Sequence, residues 1–299
     1  MEQFAFAALF ILGTALGSFL GVAVSRYDPD RPLFSGTLRG RSRCDSCGKT
    51  LRPLHLIPVL SFLFLRGRCG ACGSKIPSRD FFVEILSGAI VAGVPAFLAS
   101  FFNIPLSQFL SGGAEWWQYG FVALWTAVFL AWLAMVCIDM RHYLIPDEFH
   151  LIFAVLGIAA AAILVGYRDD LFPFRESFLK NYALVFSPFS GIIAGRVLGF
   201  FASGFLFLAL FFMSKGKGMG MGDVKLAFSS GILLGWPDVG LAIIVSFIFG
   251  GIVSAALFLS GKRTMKDRVP FAPFFVMGSA ITFFFGHALI EGYFSIFGL

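Results

Sequence analysis

Charge is what this chain has least of. Asp, Glu, Lys and Arg make up 13% of its 299 residues, against about 25% in an ordinary soluble domain. That deficit excludes a water-solvated globule of this length. Two protease constellations are also missing. The histidines, His55, His142, His150 and His287, are scattered and form no His-Glu-x-x-His, which excludes the usual metallopeptidase helix. No Gly-x-Ser-x-Gly elbow presents a serine nucleophile. No internal repeat is visible, whereas a secondary transporter is expected to show repeated halves. Cysteine is confined almost wholly to one segment: Cys44, Cys47, Cys69 and Cys72 lie there, and Cys137 sits alone in an apolar run, as a buried packing residue would.

What is present is apolar. Hydrophobic residues reach 58%, in runs that recur from end to end, so the bilayer is the solvent to reason with. Eight spans are expected, at roughly 4–25, 81–101, 116–138, 148–166, 187–213, 224–236, 239–260 and 271–297. The sixth is short and requires Trp236, Pro237 and Asp238 to turn tightly into the seventh. The first run is expected to stay as a span rather than be removed, because Met1-Glu2-Gln3 is not basic and no small-residue cleavage site precedes Arg26.

The basic residues orient these spans. All but Arg168, Arg175, Lys180 and Arg196 fall in four loops: 26–80, 139–147, 214–225 and 261–269. Eight spans put those loops on one side, and the positive-inside rule makes that side cytoplasmic, with both termini outside. The net charge of +6 thus reads as an orientation signal, and no nucleic-acid partner is expected.

Within loop 26–80, Cys44-Asp-Ser-Cys47 and Cys69-Gly-Ala-Cys72 form two C-x-x-C knuckles. Their spacing suits a tetrahedral thiolate site for zinc, with Gly48, Gly70 and Gly73 easing the turns. Four protein ligands leave no open position, so the zinc is expected to be structural, in a small domain that cannot build a sufficient core. The intervening Leu54–Leu65 is apolar and suits a membrane surface better than nucleic acid.

Two aspartates stand at membrane edges. Asp139 ends the third span and Asp223 begins the sixth, in Gly220-Met221-Gly222-Asp223. Parity places both on the cytoplasmic side. Two close carboxyl groups share a proton, so one can activate water while the other polarises a carbonyl. Asp139 lies at a helix C-terminus, where negative charge is unfavourable, and so has no capping explanation. Asp147, after Pro146, reads as a helix-start residue instead. Glycines 216, 218, 220 and 222 alternate with larger residues. Such a strip can run extended and admit a substrate backbone, so Gly220, Gly222 and Lys225 are the substrate-binding candidates.

At these residues the chain resembles the prepilin peptidases, which are G-x-G-D membrane aspartyl proteases. The resemblance covers Leu16-Gly-Ser-Phe-Leu20, the paired cysteines around His55-Leu-Ile-Pro-Val-Leu-Ser61, Arg66-Gly-Arg-Cys69, Glu84, Asp139 through Asp147, Gly218 through Lys225, and Pro270-Phe-Ala-Pro-Phe274. It implies Asp139 and Asp223 as the catalytic pair and the four cysteines as zinc ligands. It implies cleavage of the basic leader from type IV prepilins or type II secretion pseudopilins at the cytoplasmic membrane face. Many members then methylate the new N-terminus with S-adenosylmethionine. Gly21, Asp45 and Arg79-Asp80-Phe81 depart from the family's usual pattern, all in the part linked to methylation.

The expectation is therefore an all-α polytopic protein of a bacterial inner membrane. It has a first helix over 1–25, a cytoplasmic zinc domain over 26–80 and a peptidase core over 81–299. A proton-coupled transporter using membrane-edge aspartates is the alternative.

Overall fold

The computed structural model describes residues 2–31, 42–44, 46–167, 177–187, 191–216, 218–261 and 269–298. Several charged positions used above, Arg39, Arg41, Asp45, Arg168, Arg175, Lys217, Lys262, Arg263, Lys266 and Arg268, lie outside the described residues. The described chain is helical, with two isolated β-bridges, Arg43 to Thr50 and Arg68 to Lys75, as its only extended pairing. It divides into two compact units, Met1–Cys137 and Ile138–Leu299.

The first unit holds α1 (Glu2–Ser25), the short α2 (Leu60–Phe64), α3 (Ser78–Phe101), the short α4 (Leu106–Leu110) and most of α5 (Trp116–His142). In lipid, apolar side chains gain little by leaving the solvent, so helices associate through close backbone packing at small residues. α1 and α3 follow this rule. A Cβ on Gly13 would lie 2.6 Å from the Ser87 carbonyl oxygen, and one on Gly17 would lie 2.9 Å from the Glu84 Cα. Along α5, large aromatics fill the space instead: Trp125 and Trp132 are fully buried, their rings 6.4 Å apart edge to face.

The second unit holds α6 (Asp147–Gly166), the single-turn α7 (Ala183–Phe186), α8 (Ile192–Met213), α9 (Met221–Leu234), α10 (Asp238–Leu259) and α11 (Ala272–Ile296). α9 is its hub. Gly199 of α8 meets the backbone of Gly231, and Gly157 of α6 meets that of Leu233. Ser203 donates to the Ala227 carbonyl at 2.8 Å. The buried Arg196 of α8 donates to the Ile232 and Leu233 carbonyls. An α-helix leaves its last carbonyls without intrahelical partners, and a cation suits that negative end. This accounts for an arginine inside an apolar helix. On α10, the buried Asp238 accepts from the Ser177 hydroxyl at 2.5 Å and the Phe178 N–H at 3.1 Å. The segment around Ser177–Leu179, which had no role in the sequence, thus closes the α9–α10 end of the unit.

Each of the eight expected spans overlaps a helix, but among the described residues seven helices are long and apolar enough to cross a membrane. The eighth, α9, has 14 residues. At 1.5 Å per residue it reaches only about 21 Å, short of a hydrocarbon core of about 30 Å. Its ends explain its length. Gly235 adopts φ 78°, a conformation that favours glycine, and the expected turn through Trp236 and Pro237 leads directly into α10. α5 also runs further than expected, to His142, where Tyr143 takes φ 55° and its N–H bonds back to the Asp139 carbonyl at 2.8 Å.

Candidate active site

Asp139 sits in the last turn of α5 and is 5% exposed. One carboxyl oxygen accepts the backbone N–H of Ala272, the first residue of α11. The other, Oδ2, is buried without a hydrogen-bond partner. The unfavourable placement at a helix C-terminus is therefore offset by the first N–H of a second helix, that of Ala272, at the positive end of that helix's dipole.

Asp223 is held in a related way. It occupies the first turn of α9, and its Oδ2 accepts the Gly220 N–H at 3.1 Å. The Gly220 carbonyl in turn accepts the Asp223 N–H at 3.2 Å. This reciprocal pairing starts the helix at Met221. It also limits the glycine strip. Gly220 is extended, with φ −80° and ψ 157°, but Gly216 is a left-handed turn and Gly222 already lies inside α9. The expected continuous extended run is thus shortened to the residues just before the helix.

Both aspartates line one cavity of about 820 Å³. Their carboxyl groups are close enough to interact electrostatically. Gly218, Gly220 and Gly222 line it beside them, and Phe247, Gly251 and Phe274 contribute an apolar wall. Lys225 lies at the same cavity and pairs with Asp147 at 2.7 and 2.9 Å. Asp147 is the first residue of α6, directly after Pro146, the helix-start place expected of it, and its carboxylate also joins α6 to α9. His150 stands 4.0 Å from the same carboxylate. The sequence did not reveal the Ala272 N–H. The signal available was Pro273, because proline at the second position of a helix marks its N-terminus and hence where free donors lie.

The four cysteines converge in the first unit. Their Sγ atoms all lie within 4.8 Å of one another, and all are free thiols. The two knuckles repeat one hydrogen-bond pattern. Cys44 N–H bonds to the Lys49 carbonyl and Gly48 N–H to the Cys44 carbonyl; Cys69 N–H bonds to Ser74 and Gly73 N–H to Cys69 in the same way. Gly48 and Gly73 take φ 67° and 73° at equivalent places. Gly70 does not; a Cβ there would lie 3.1 Å from the His55 ring. A tetrahedral zinc site with Zn–S bonds of about 2.3 Å has sulfur edges of about 3.8 Å, and Cys44 and Cys72 are 3.9 Å apart. Ser74, not singled out in the sequence, lies at this centre, its hydroxyl 3.1 Å from the Cys72 Sγ and 3.6 Å from the Cys44 Sγ. The Cys47 backbone and then the Ser74 hydroxyl hold the Cys44 thiol down to about 6. The Ser74 hydroxyl also lowers Cys72. Four converging sulfurs at tetrahedral spacing, with Cys44 and Cys72 stabilised as thiolates, are what a zinc ion requires, so the donor set fits zinc.

Residues 11–102 match the family described as the Bacterial Peptidase A24 N-terminal domain. Residues 124–255 match the Type IV leader peptidase family. The prepilin leader peptidase/N-methyltransferase of Bacillus subtilis (strain 168) is 30% identical over 286 residues, covering 95% of this chain and 96% of that protein. The protein of the same name from Burkholderia pseudomallei (strain 1026b) is 29% identical over 308 residues, covering 95% and 86%. That from Pseudomonas aeruginosa is 26% identical over 313 residues, covering 96% and 93%. No solved structure matches the chain. With both parts matched in order and relatives aligned along nearly their whole length, this polytopic membrane protein belongs to the type IV leader peptidase family.

Proposed function

We propose that this chain is a membrane aspartyl endopeptidase that removes the leader of type IV prepilins or type II secretion pseudopilins, with Asp139 and Asp223 as its catalytic pair. The observation that carries this reading is that both carboxyl groups line one cavity, each with one oxygen held by a backbone N–H at a helix N-terminus. The held oxygens fix the orientation of the carboxyls, and Asp139 Oδ2 is left buried with no hydrogen-bond partner, an acceptor not committed to the fold. The ionised member of the pair takes a proton from water as the water oxygen attacks the scissile carbonyl. The protonated member donates to that carbonyl oxygen. Collapse of the tetrahedral intermediate breaks the C–N bond, and the proton taken from water passes to the leaving amine. Membership of a peptidase family supports this reading over a proton-coupled transporter.

The basic loops orient the site to the cytoplasm of the inner membrane; because basic loops both precede α9 and follow α10, this orientation counts the short α9 with its flanking residues as the eighth crossing, and only then do both termini face outside. Zinc held by Cys44, Cys47, Cys69 and Cys72 would supply a structural cross-link between the two knuckles. The relatives' name also supports a second activity, N-methylation of the new N-terminus with S-adenosylmethionine as donor.

Gly220, Gly222 and Lys225 would bind substrate. A Cβ on Gly220 would meet nothing closer than Asp223 Oδ2 at 3.5 Å, and one on Gly222 nothing closer than Ile145 at 3.5 Å. Packing therefore does not demand glycine at either place. Gly220→Ala is expected to change stability by less than about 1 kcal/mol while lowering kcat/KM at least tenfold, because the substrate backbone loses its closest approach. Thermal unfolding and cleavage kinetics on one preparation check this.

The whole reading is tested by incubating the protein in proteoliposomes with a synthetic prepilin and S-adenosylmethionine, following products by mass. A single cut at the leader junction is expected, with a methyl group on the new N-terminus. An intact substrate, or proton flux without cleavage, would overturn it.

A further inference from the structure

The peptidase site leaves one prominent surface unused. Between the two cysteine knuckles, Leu54, Leu56, Ile57, Leu60, Leu63 and Phe64 are all exposed, Leu54 to 73% and Phe64 to 83%. Isolated exposed apolar residues need no explanation, but a contiguous set of this size marks an interaction site.

The segment is built to present this face. Val59, at the start of α2, takes φ 61°, and Arg66, just after it, takes φ 51°. A β-branched residue with positive φ is an outlier that surrounding structure must enforce. The enforcing bond comes from α3: the Val59 N–H donates to Glu84 Oε2 at 2.7 Å. The Phe62 ring stacks on Phe81 of α3 at 4.7 Å. α2 is thus fixed against the first two turns of a long apolar helix, with Phe62 turned inward and Leu63 and Phe64 outward.

That attachment sets its depth. Glu84 lies six residues from the start of α3, about 9 Å along the helix axis. α3 has 24 residues, about 36 Å in all, slightly more than a hydrocarbon core of about 30 Å. The contact therefore falls near the boundary between headgroups and acyl chains, the level at which interfacial amphipathic segments lie. Charge agrees. No Asp or Glu occurs between Asp45 and Asp80, whereas Lys49, Arg52, Arg66, Arg68, Lys75 and Arg79 do. Arg52 and Arg66 flank the apolar face directly and are exposed. A basic rim around an apolar face complements an anionic lipid surface, and long arginine side chains can reach headgroups from that depth.

We infer that the segment Pro53–Arg66 is an interfacial anchor that seats the four-cysteine domain on the surface of an anionic bilayer. The anchor is separate from the peptidase chemistry and does not depend on it. The partner is lipid, with the side chains of Leu54, Leu63 and Phe64 inserted among the upper acyl carbons.

The test uses the full chain in vesicles of phosphatidylethanolamine and phosphatidylglycerol doped with lipids brominated at shallow or deep acyl positions. Tryptophan is placed at the anchor (Phe64→Trp) or at an exposed knuckle position (Lys49→Trp), and the wild-type quenching is subtracted. Zinc content confirms that each variant is folded. The inference expects shallow-bromine quenching of the Phe64→Trp increment at least twofold above that of Lys49→Trp. Equal quenching of the two increments overturns it. So does quenching at position 64 that is relieved by adding a prepilin-type peptide, which would make the face a peptide-docking surface.

Discussion

Asp139→Asn and Asp223→Asn are each expected to lower kcat/KM for leader cleavage by about a thousandfold or more, since positioned acid–base groups contribute roughly 10²–10⁴-fold each. Asparagine keeps the shape and one acceptor oxygen. The Asp139 variant can still take the Ala272 N–H, and the Asp223 variant the Gly220 N–H. What is lost is the ability to bind and release a proton. Insertion and stability should therefore stay near wild type, and size-exclusion and thermal profiles beside the kinetics check that. Either variant processing substrate at the wild-type rate would remove that residue from the mechanism.

The second large effect is expected at the cysteine centre. Cys44→Ser and Cys69→Ser should each lower zinc affinity by more than the roughly 10- to 100-fold that follows loss of a mere outer partner of a metal site. The knuckles have little else to hold them together: Cys47 and Cys72 are exposed, and only Cys69 is buried. Because binding free energy at such a site is folding free energy, the segment from Cys44 to Lys75 should also become protease-sensitive in these variants, and in wild type after chelation. The helices Ser78–Phe101 and Asp238–Leu259 are not built on the metal and should remain resistant. Metal analysis with limited proteolysis reads both outcomes. A purified protein without zinc, or a chelated one with an unchanged cleavage pattern, would contradict it.

The helices were legible because bilayer solvation imposes long apolar runs, and every run read as a span contains a helix among its described residues. The cysteine cluster was legible for a similar reason: thiolate chemistry fixes ligand type and spacing. Asp139 and Asp223 stood out because an acid in an apolar context costs energy. What the sequence hid was backbone and partner choice. Nothing local to Asp139 shows that its acceptor is filled by Ala272, more than a hundred residues away. Asp147 looked sufficient as a helix-start residue, yet its carboxylate pairs with Lys225. Arg196 falls inside the fifth expected span, and nothing near it in sequence shows that it meets the carbonyls at the end of α9. The glycine strip read as one extended stretch by composition, whereas Gly216 takes a left-handed turn and the Gly220–Asp223 pairing starts α9 so that Gly222 lies within it.

The claim beneath the catalytic reading is that Asp139 and Asp223 act as one unit on one water. A cycle of kcat/KM values for wild type, Asp139→Asn, Asp223→Asn and the double variant on a single synthetic prepilin tests it most directly. Groups that act together are strongly non-additive, so the double variant should be no slower than the slower single variant. Losses that multiply, with the double variant slower by the product of the two single effects, would mean independent roles and contradict the account.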